Sequence, residues 1–295
     1  MSTRRLTRFF FALGLLMIGM GNSVSVHAVP IVGLGTVGGN TNTLVVFDTV
    51  SPGSLIYSVP VSGLPSGFNL VGIDFRPATG GLTAVGQGAG NVGGVFSLNL
   101  FTGAATQVNT IPSLTGTAFG VDFNPVPDAL RIVSNTGQNL RIPVGGTGVV
   151  TTDNTLSLNG VTGAAYSNNV AGATSTTLYD IRSTDGSLYT QIPPNNGTLN
   201  LVGSLGLGTG LSESVGFDIS GASGAAFASI GNNLYSINLT TGVATSAGTV
   251  SGTVQLRDIT FIPANAAIPE PGSVLMLGGL LIGGAVVCRR RRKHA

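Results

Sequence analysis

Apolar and polar residues alternate in short runs along most of this chain. Val95-Phe96-Ser97-Leu98-Asn99-Leu100 leads into Thr102-Gly103-Ala104-Ala105-Thr106, and Leu234-Tyr235-Ser236-Ile237-Asn238-Leu239 leads into Thr241-Gly242-Val243-Ala244-Thr245. Each reads as a period-two strand, a Thr-Gly turn and a second strand. Looser copies stand at Leu44 to Asp48 with Gly53, at Leu140-Arg141-Ile142 with Gly145 and Gly146, and at Leu188-Tyr189-Thr190 with Gly197.

A second pattern precedes every copy but the first. Val71-Gly72-Ile73-Asp74-Phe75, Phe119-Gly120-Val121-Asp122-Phe123 and Val215-Gly216-Phe217-Asp218-Ile219 are close relatives, and Thr162-Gly163-Ala164-Ala165-Tyr166 is a degenerate one. Their glycines stand 48, 43 and 53 residues apart. A period of about 40 to 50 residues holding about four short strands is that of a propeller blade. The N-terminal unit has strands near Ile31, Leu44 and Ile56 but lacks the marker, while Asp258-Ile259-Thr260-Phe261-Ile262-Pro263 is a marker-like strand without a unit. Pairing the two predicts an all-β, propeller-like domain of five four-stranded blades, closed by the C-terminal strand on the N-terminal blade. Closure also removes the exposed sheet edges that an open ring would present. A β-sandwich or an irregular solenoid is the rival architecture.

The ends of the chain read differently. Arg4, Arg5 and Arg8 precede an apolar run from Phe9 to Met20, and Val26-His27-Ala28 supplies small residues for cleavage after Ala28. That is a signal peptide over residues 1–28, best suited to the general secretory route. At the other end, Ile268-Pro269-Glu270-Pro271 is followed by an apolar run from Val274 to Cys288 and by Arg289-Arg290-Arg291-Arg292-Lys293. As a helix, the run would span roughly 22 Å, short of a bilayer core of about 30 Å. The basic cluster is a cytoplasmic stop, which places the preceding domain outside the inner membrane. The working domain is then residues 29–267 and the tail 268–295, with a transmembrane segment at 274–288 and the basic stop at 289–293.

Composition sharpens the picture once the ends are set aside. Glycine makes up 46 of 295 residues, about twice the usual share, in a background of Thr, Ser, Asn and Val that suits strands and tight turns. The middle has five arginines, no lysine and ten acids, a net charge of −5, so the whole-chain +2 belongs to the signals. An acidic domain is a poor partner for nucleic acid. The middle has no histidine and no cysteine either. Zinc sites of Cys and His, Ser-His-Asp and Cys-His nucleophile systems and internal disulfides are therefore excluded. Sites for hard cations built from oxygen ligands stay open. The stretch Gly86 to Gly90 is no phosphate loop, because no helical pattern follows it.

Two resemblances add to this reading. The tail resembles the PEP-CTERM sorting signal of Gram-negative envelope proteins, which implies recognition by an exosortase at or near Pro269, Glu270 and Pro271. The implied partners are the exosortase, the secretion machinery and, before processing, the inner membrane. The implied destination is the cell envelope, the surface or the extracellular space. The middle has Gly-x-Asp-Phe-x-Pro at Gly72 to Pro77 and at Gly120 to Pro125, then Ser134-Asn135-Thr136-Gly137-Gln138-Asn139-Leu140-Arg141. It resembles a bacterial propeller-like domain of unknown function, which carries no established activity.

Two groups of residues could bear chemistry. Asp74, Asp122 and Asp218 could ring the central channel and hold calcium or act as acid and base; alternatively, each ties down backbone in its own or a neighbouring blade. Position-specific repetition favours the second reading. Arg131, Asn135, Gln138, Asn139 and Arg141 combine guanidinium forks with amides, which suits sugar hydroxyls or carboxylates, or else forms a polar hairpin. The five residues are the candidate ligand-binding set. The tyrosines are spread about one per blade and read as core. No catalytic residue, metal or cofactor is expected. The function expected is a non-enzymatic, surface or matrix-associated binding or structural module, with extracellular polysaccharide as its partner. The alternatives are a carboxylate-dependent glycosidase or polysaccharide lyase, and a calcium-binding coat protein.

Overall fold

The computed structural model describes residues 29–251 and 254–266. The signal peptide and its Ala28 site, the Pro269-Glu270-Pro271 motif, the 274–288 segment and the 289–293 cluster lie outside the described residues. Among the described residues no helix is long and apolar enough to cross a membrane.

Twenty strands form five antiparallel four-stranded sheets, numbered here in chain order. Blade 1 contains β1 (Pro30–Val37), β2 (Asn40–Asp48) and β3 (Tyr57–Pro60), with β20 (Gln255–Phe261) as its innermost strand. Blade 2 is β4 (Asn69–Arg76), β5 (Gly81–Gln87), β6 (Gly93–Leu98) and β7 (Ala105–Ile111). Blade 3 is β8 (Phe119–Asn124), β9 (Ala129–Ser134), β10 (Asn139–Ile142) and the short β11 (Thr151–Thr152). Blade 4 is β12 (Val161–Tyr166), β13 (Leu178–Arg182), β14 (Ser187–Gln191) and β15 (Leu199–Ser204). Blade 5 is β16 (Val215–Ile219), β17 (Ala226–Ile230), β18 (Asn233–Ile237) and β19 (Ala244–Thr249). The closure expected from the unmatched ends is present: β20 pairs with β1 from Ile31↔Phe261 to Thr36↔Gln255.

The repeated hairpin has a local cause. Asn99 Oδ1 accepts the backbone N–H groups of Phe101 and Thr102, at 3.0 and 2.9 Å. Asn238 does the same for Thr240 and Thr241, and Asp48 for Val50 and Ser51. Such side-chain turns reverse the chain after an alternating strand. Gly103 then takes φ 68° and Gly242 φ 82°, a region costly for any residue with a Cβ.

Both faces of each blade are covered by its neighbours, so the core is divided into five clusters, one per blade interface. Val32, Leu44 and Val46 of blade 1 meet Ile73, Phe75 and Phe96 of blade 2. Val85 and Val95 of blade 2 meet Val121, Phe123 and Ile132 of blade 3. Val133 of blade 3 meets Tyr166 and Leu178 of blade 4, and Ile181 and Leu188 of blade 4 meet Phe217 and Ala228 of blade 5. Leu234 and Val250 of blade 5 close the ring against Ile31, Phe47 and Ile259. Outer strands have no such partners, and β7, β15 and β19 are mostly exposed. This two-sided burial explains why Leu44 to Phe47 is continuously apolar while the outer strands are rich in Thr, Ser and Asn.

Candidate functional site

The innermost strands β20, β4, β8, β12 and β16 pack in succession around one axis. The Gly-x-Asp marker is the device that lets them meet there. A Cβ on Gly120 would lie 2.5 Å from the Ala164 backbone nitrogen, and one on Gly216 would lie 2.4 Å from that of Ile259. Glycine is thus required for strand-to-strand approach. The aspartate two residues later faces the same way, by the period of the strand. Asp74 Oδ2 accepts the Phe123 amide of the next blade at 2.8 Å, and Asp218 Oδ2 accepts the Phe261 amide at 2.6 Å. The Asp122 carboxyl is bonded to the Tyr166 amide. Each carboxylate therefore ties its blade to the following one.

Two blades depart from the pattern. Blade 4 has Ala165 where the aspartate would stand, and makes no such tie to blade 5. In β20 the hydrogen-bond register puts Thr260 at the aspartate position and Asp258 at that of the glycine. Asp258 Oδ2 still reaches the next blade, through the Ile73 amide at 2.8 Å, while the Thr260 hydroxyl donates to Asp74 Oδ1 at 2.8 Å.

Four carboxyls are thereby buried near one axis, Asp74 and Asp122 each only 1% exposed. Burial is the main force raising their pKa values, and mutual repulsion adds to it for Asp74, Asp122 and Asp258, all held well above the usual carboxylate range. Asp218 is pushed up to about 6 by burial, with the Phe261 and Ile219 amides opposing the shift.

The candidate ligand set separates into two places. Arg131 is buried in blade 3, where its guanidinium donates to Asn139 Oδ1 (2.8 Å), Asp153 Oδ2 (2.7 Å), Asn195 Oδ1 (2.6 Å) and the Tyr166 hydroxyl (3.3 Å). Arg141 stands directly opposite Arg131 in the β9–β10 register, and Asp153 bridges the two cations. Asn139 donates to the Asn154 and Pro194 carbonyls. Arg131 and Asn139 thereby fasten blade 3 to the 193–196 turn of blade 4, while Arg141 bonds Asp153 alone. Asn135 and Gln138 lie in the hairpin loop instead. Asn135 bonds Thr117 and Glu213, while Gln138 accepts the Thr115 amide and donates to the Ser113 carbonyl.

Sequence reasoning missed Asp153, the common partner of both arginines, because nothing local marks a contact made 12 and 22 residues away. Asp180, which the sequence places with Asp185 near a turn, lies instead within β13, fully buried with neither carboxyl oxygen bonded. Burial pushes that carboxyl up to about 8, against the pull of Arg131. Tyr166 is buried as core, and Tyr57 is half-buried with its hydroxyl on the Leu100 carbonyl at 2.9 Å.

A domain family described as "Domain of unknown function (DUF4394)" matches residues 43–260, most of the chain. The chain belongs to the DUF4394 family. Residues 267–292 match the PEP-CTERM protein-sorting motif. This DUF4394 protein is thus exported and sorted, through an exosortase, to the cell envelope or surface. No curated protein matches it. Among solved structures it is similar to a chain of the "Crystal structure of Nidogen/Laminin Complex", with 11% identity and a TM-score of 0.52 over 82% of this chain and 100% of that one. It is also similar to a protein of unknown function from Bacteroides thetaiotaomicron VPI-5482, with 15% identity and a TM-score of 0.49 over 82% and 69% of the two chains. The first likeness is one of fold.

Proposed function

We propose that the propeller is a non-catalytic binding or structural module of the cell surface or extracellular matrix, with extracellular polysaccharide as its partner. The observation that carries this reading is the use of the aspartates. Asp74, Asp122 and Asp218, the carboxylates a glycosidase or lyase would need, are buried and spend oxygens on amides of neighbouring blades. A general acid or base must instead come within hydrogen-bond reach of its substrate. The rim supports the binding side of the proposal. Thr106, Gln107 and Thr110 of β7, Asn200 and Ser204 of β15, and Thr245, Ser246 and Thr249 of β19 are exposed. Hydroxyls and amides both donate and accept, as sugar hydroxyls require.

The test is incubation of the purified protein with the exopolysaccharide of its own host, measuring retention and reducing ends. Retention without new reducing ends is expected. Release of reducing ends that Asp122→Asn abolishes would show an enzyme instead, and absence of both would leave a purely structural role.

A further inference from the structure

One carboxylate oxygen from each of Asp74, Asp122 and Asp218 lies within 4.8 Å of the others. The three come from β4, β8 and β16, in three different blades. Oxygens bound to one calcium ion at about 2.3–2.6 Å stand at most about 5.2 Å apart, so this spacing suits a single ion of that size.

A second observation is independent of the spacing. Asp122 Oδ1 has no hydrogen-bond donor, although Asp122 is only 1% exposed. In the other axial aspartates the corresponding oxygen accepts the amide of the following residue: Phe75 for Asp74, Ile219 for Asp218 and Ile259 for Asp258. Asp122 is denied this bond because the Phe123 amide is already given to Asp74 Oδ2. A carboxylate oxygen with open lone pairs is left buried at the axis, where a missing partner is costly.

The charges around it leave the same gap. Asp74, Asp218 and Asp258, the neighbours that act on Asp122, are all acidic, so none of them brings it a positive charge. Four of the domain's arginines are engaged elsewhere, with Asp128, Asp153 and Asp185. A cavity of about 280 Å³ reaches Asp74 and Asp218 from one end of the axis. Asn169, whose buried Oδ1 is also unbonded, lines it too, in a wall that is otherwise mostly apolar.

We propose that the propeller axis is a divalent-cation site of calcium size, with Asp74, Asp122 and Asp218 as its protein ligands. The ion joins three blades that no disulfide can join, in a compartment where calcium sites of low affinity, with dissociation constants of about 10⁻⁴–10⁻³ M, are useful. The site is separate from the rim and does not depend on polysaccharide binding.

The test uses the full chain, stripped with EDTA and titrated with calcium chloride or magnesium chloride, followed by calorimetry and thermal melting. One calcium ion per chain is expected, with a melting temperature that rises to a plateau. Asp122→Asn, which keeps an acceptor for the Tyr166 amide, should weaken calcium binding at least tenfold. Asp128→Asn, at the Arg76 ion pair, should leave it unchanged. No calcium binding by the wild type, or equal affinity in Asp122→Asn, overturns the proposal. Should Asp122→Asn fail to fold, terbium emission sensitised by tyrosine in the tryptophan-free wild type decides. Displacement of that emission by calcium at one ion per chain supports the site, and emission indifferent to calcium overturns it.

Discussion

Gly216→Ala is expected to loosen the closure of the ring at the contact between blade 5 and blade 1. The added Cβ would stand 2.4 Å from the backbone nitrogen of Ile259 and 2.6 Å from both Cα and carbonyl carbon of Asp258. These are backbone atoms of β20, fixed on its other side by pairing with β1, so no side chain can rotate away. Overpacking costs about 1–3 kcal/mol, and a clash with paired backbone belongs at the upper end of that range. For a domain of this size about 3 kcal/mol corresponds to a fall in melting temperature of roughly 6–12 °C. Gly53→Ala is the control. Gly53 is exposed, and its added Cβ would meet only the Thr249 carbonyl oxygen, at 3.6 Å. Its effect should stay within about 0.5 kcal/mol. The assay is thermal unfolding of both variants and the wild type, followed by circular dichroism in one buffer. A Gly216→Ala protein that melts within about 2 °C of wild type would refute the account of why the marker begins with glycine.

Other outcomes follow from the same contacts. Arg131→Ala should destabilise by about 3–5 kcal/mol, because it takes the donor from Asn139 Oδ1 and Asn195 Oδ1 and leaves the Asp153 carboxylate with only the more exposed Arg141, whereas Arg141→Ala should cost at most about 1 kcal/mol; chemical denaturation of the two compares them directly, and equal losses would sink the assignment. Asp180, with its pKa raised to about 8, keeps in the folded state a proton that the unfolded chain releases near pH 3.9. Its stabilising contribution is therefore whole below about pH 4 and is lost as pH rises to about 8, so melting temperature should fall over that window and fall less steeply in Asp180→Asn; parallel curves would contradict this. Deleting residues 257–263 removes most of β20, exposes the inner edge of β1 and should abolish cooperative unfolding of the whole domain, so retention of the wild-type transition would disprove closure through this strand.

The amino-acid sequence by itself determined the blade count, the hairpins and the closure. Each rests on short-range physics: period-two alternation, Asn99 and Asn238 bonding amides two and three residues on, and a marker strand left over at one end for a unit lacking it at the other. The aspartates were legible as repeated ties because a feature copied from blade to blade reflects the packing that every blade shares. Tertiary structure alone decided which oxygens were left over. Asp122 Oδ1 is unbonded because Asp74, 48 positions earlier in the chain, has taken the Phe123 amide, and Thr260 rather than Asp258 occupies the aspartate register in β20. The split of Arg131, Asn139 and Arg141 from Asn135 and Gln138 was hidden for the same reason. Neighbours in the sequence part where a strand ends and a loop begins, and the partners that claim them, Asp153, Asn195 and Glu213, come from distant segments brought near only when the blades close into a ring.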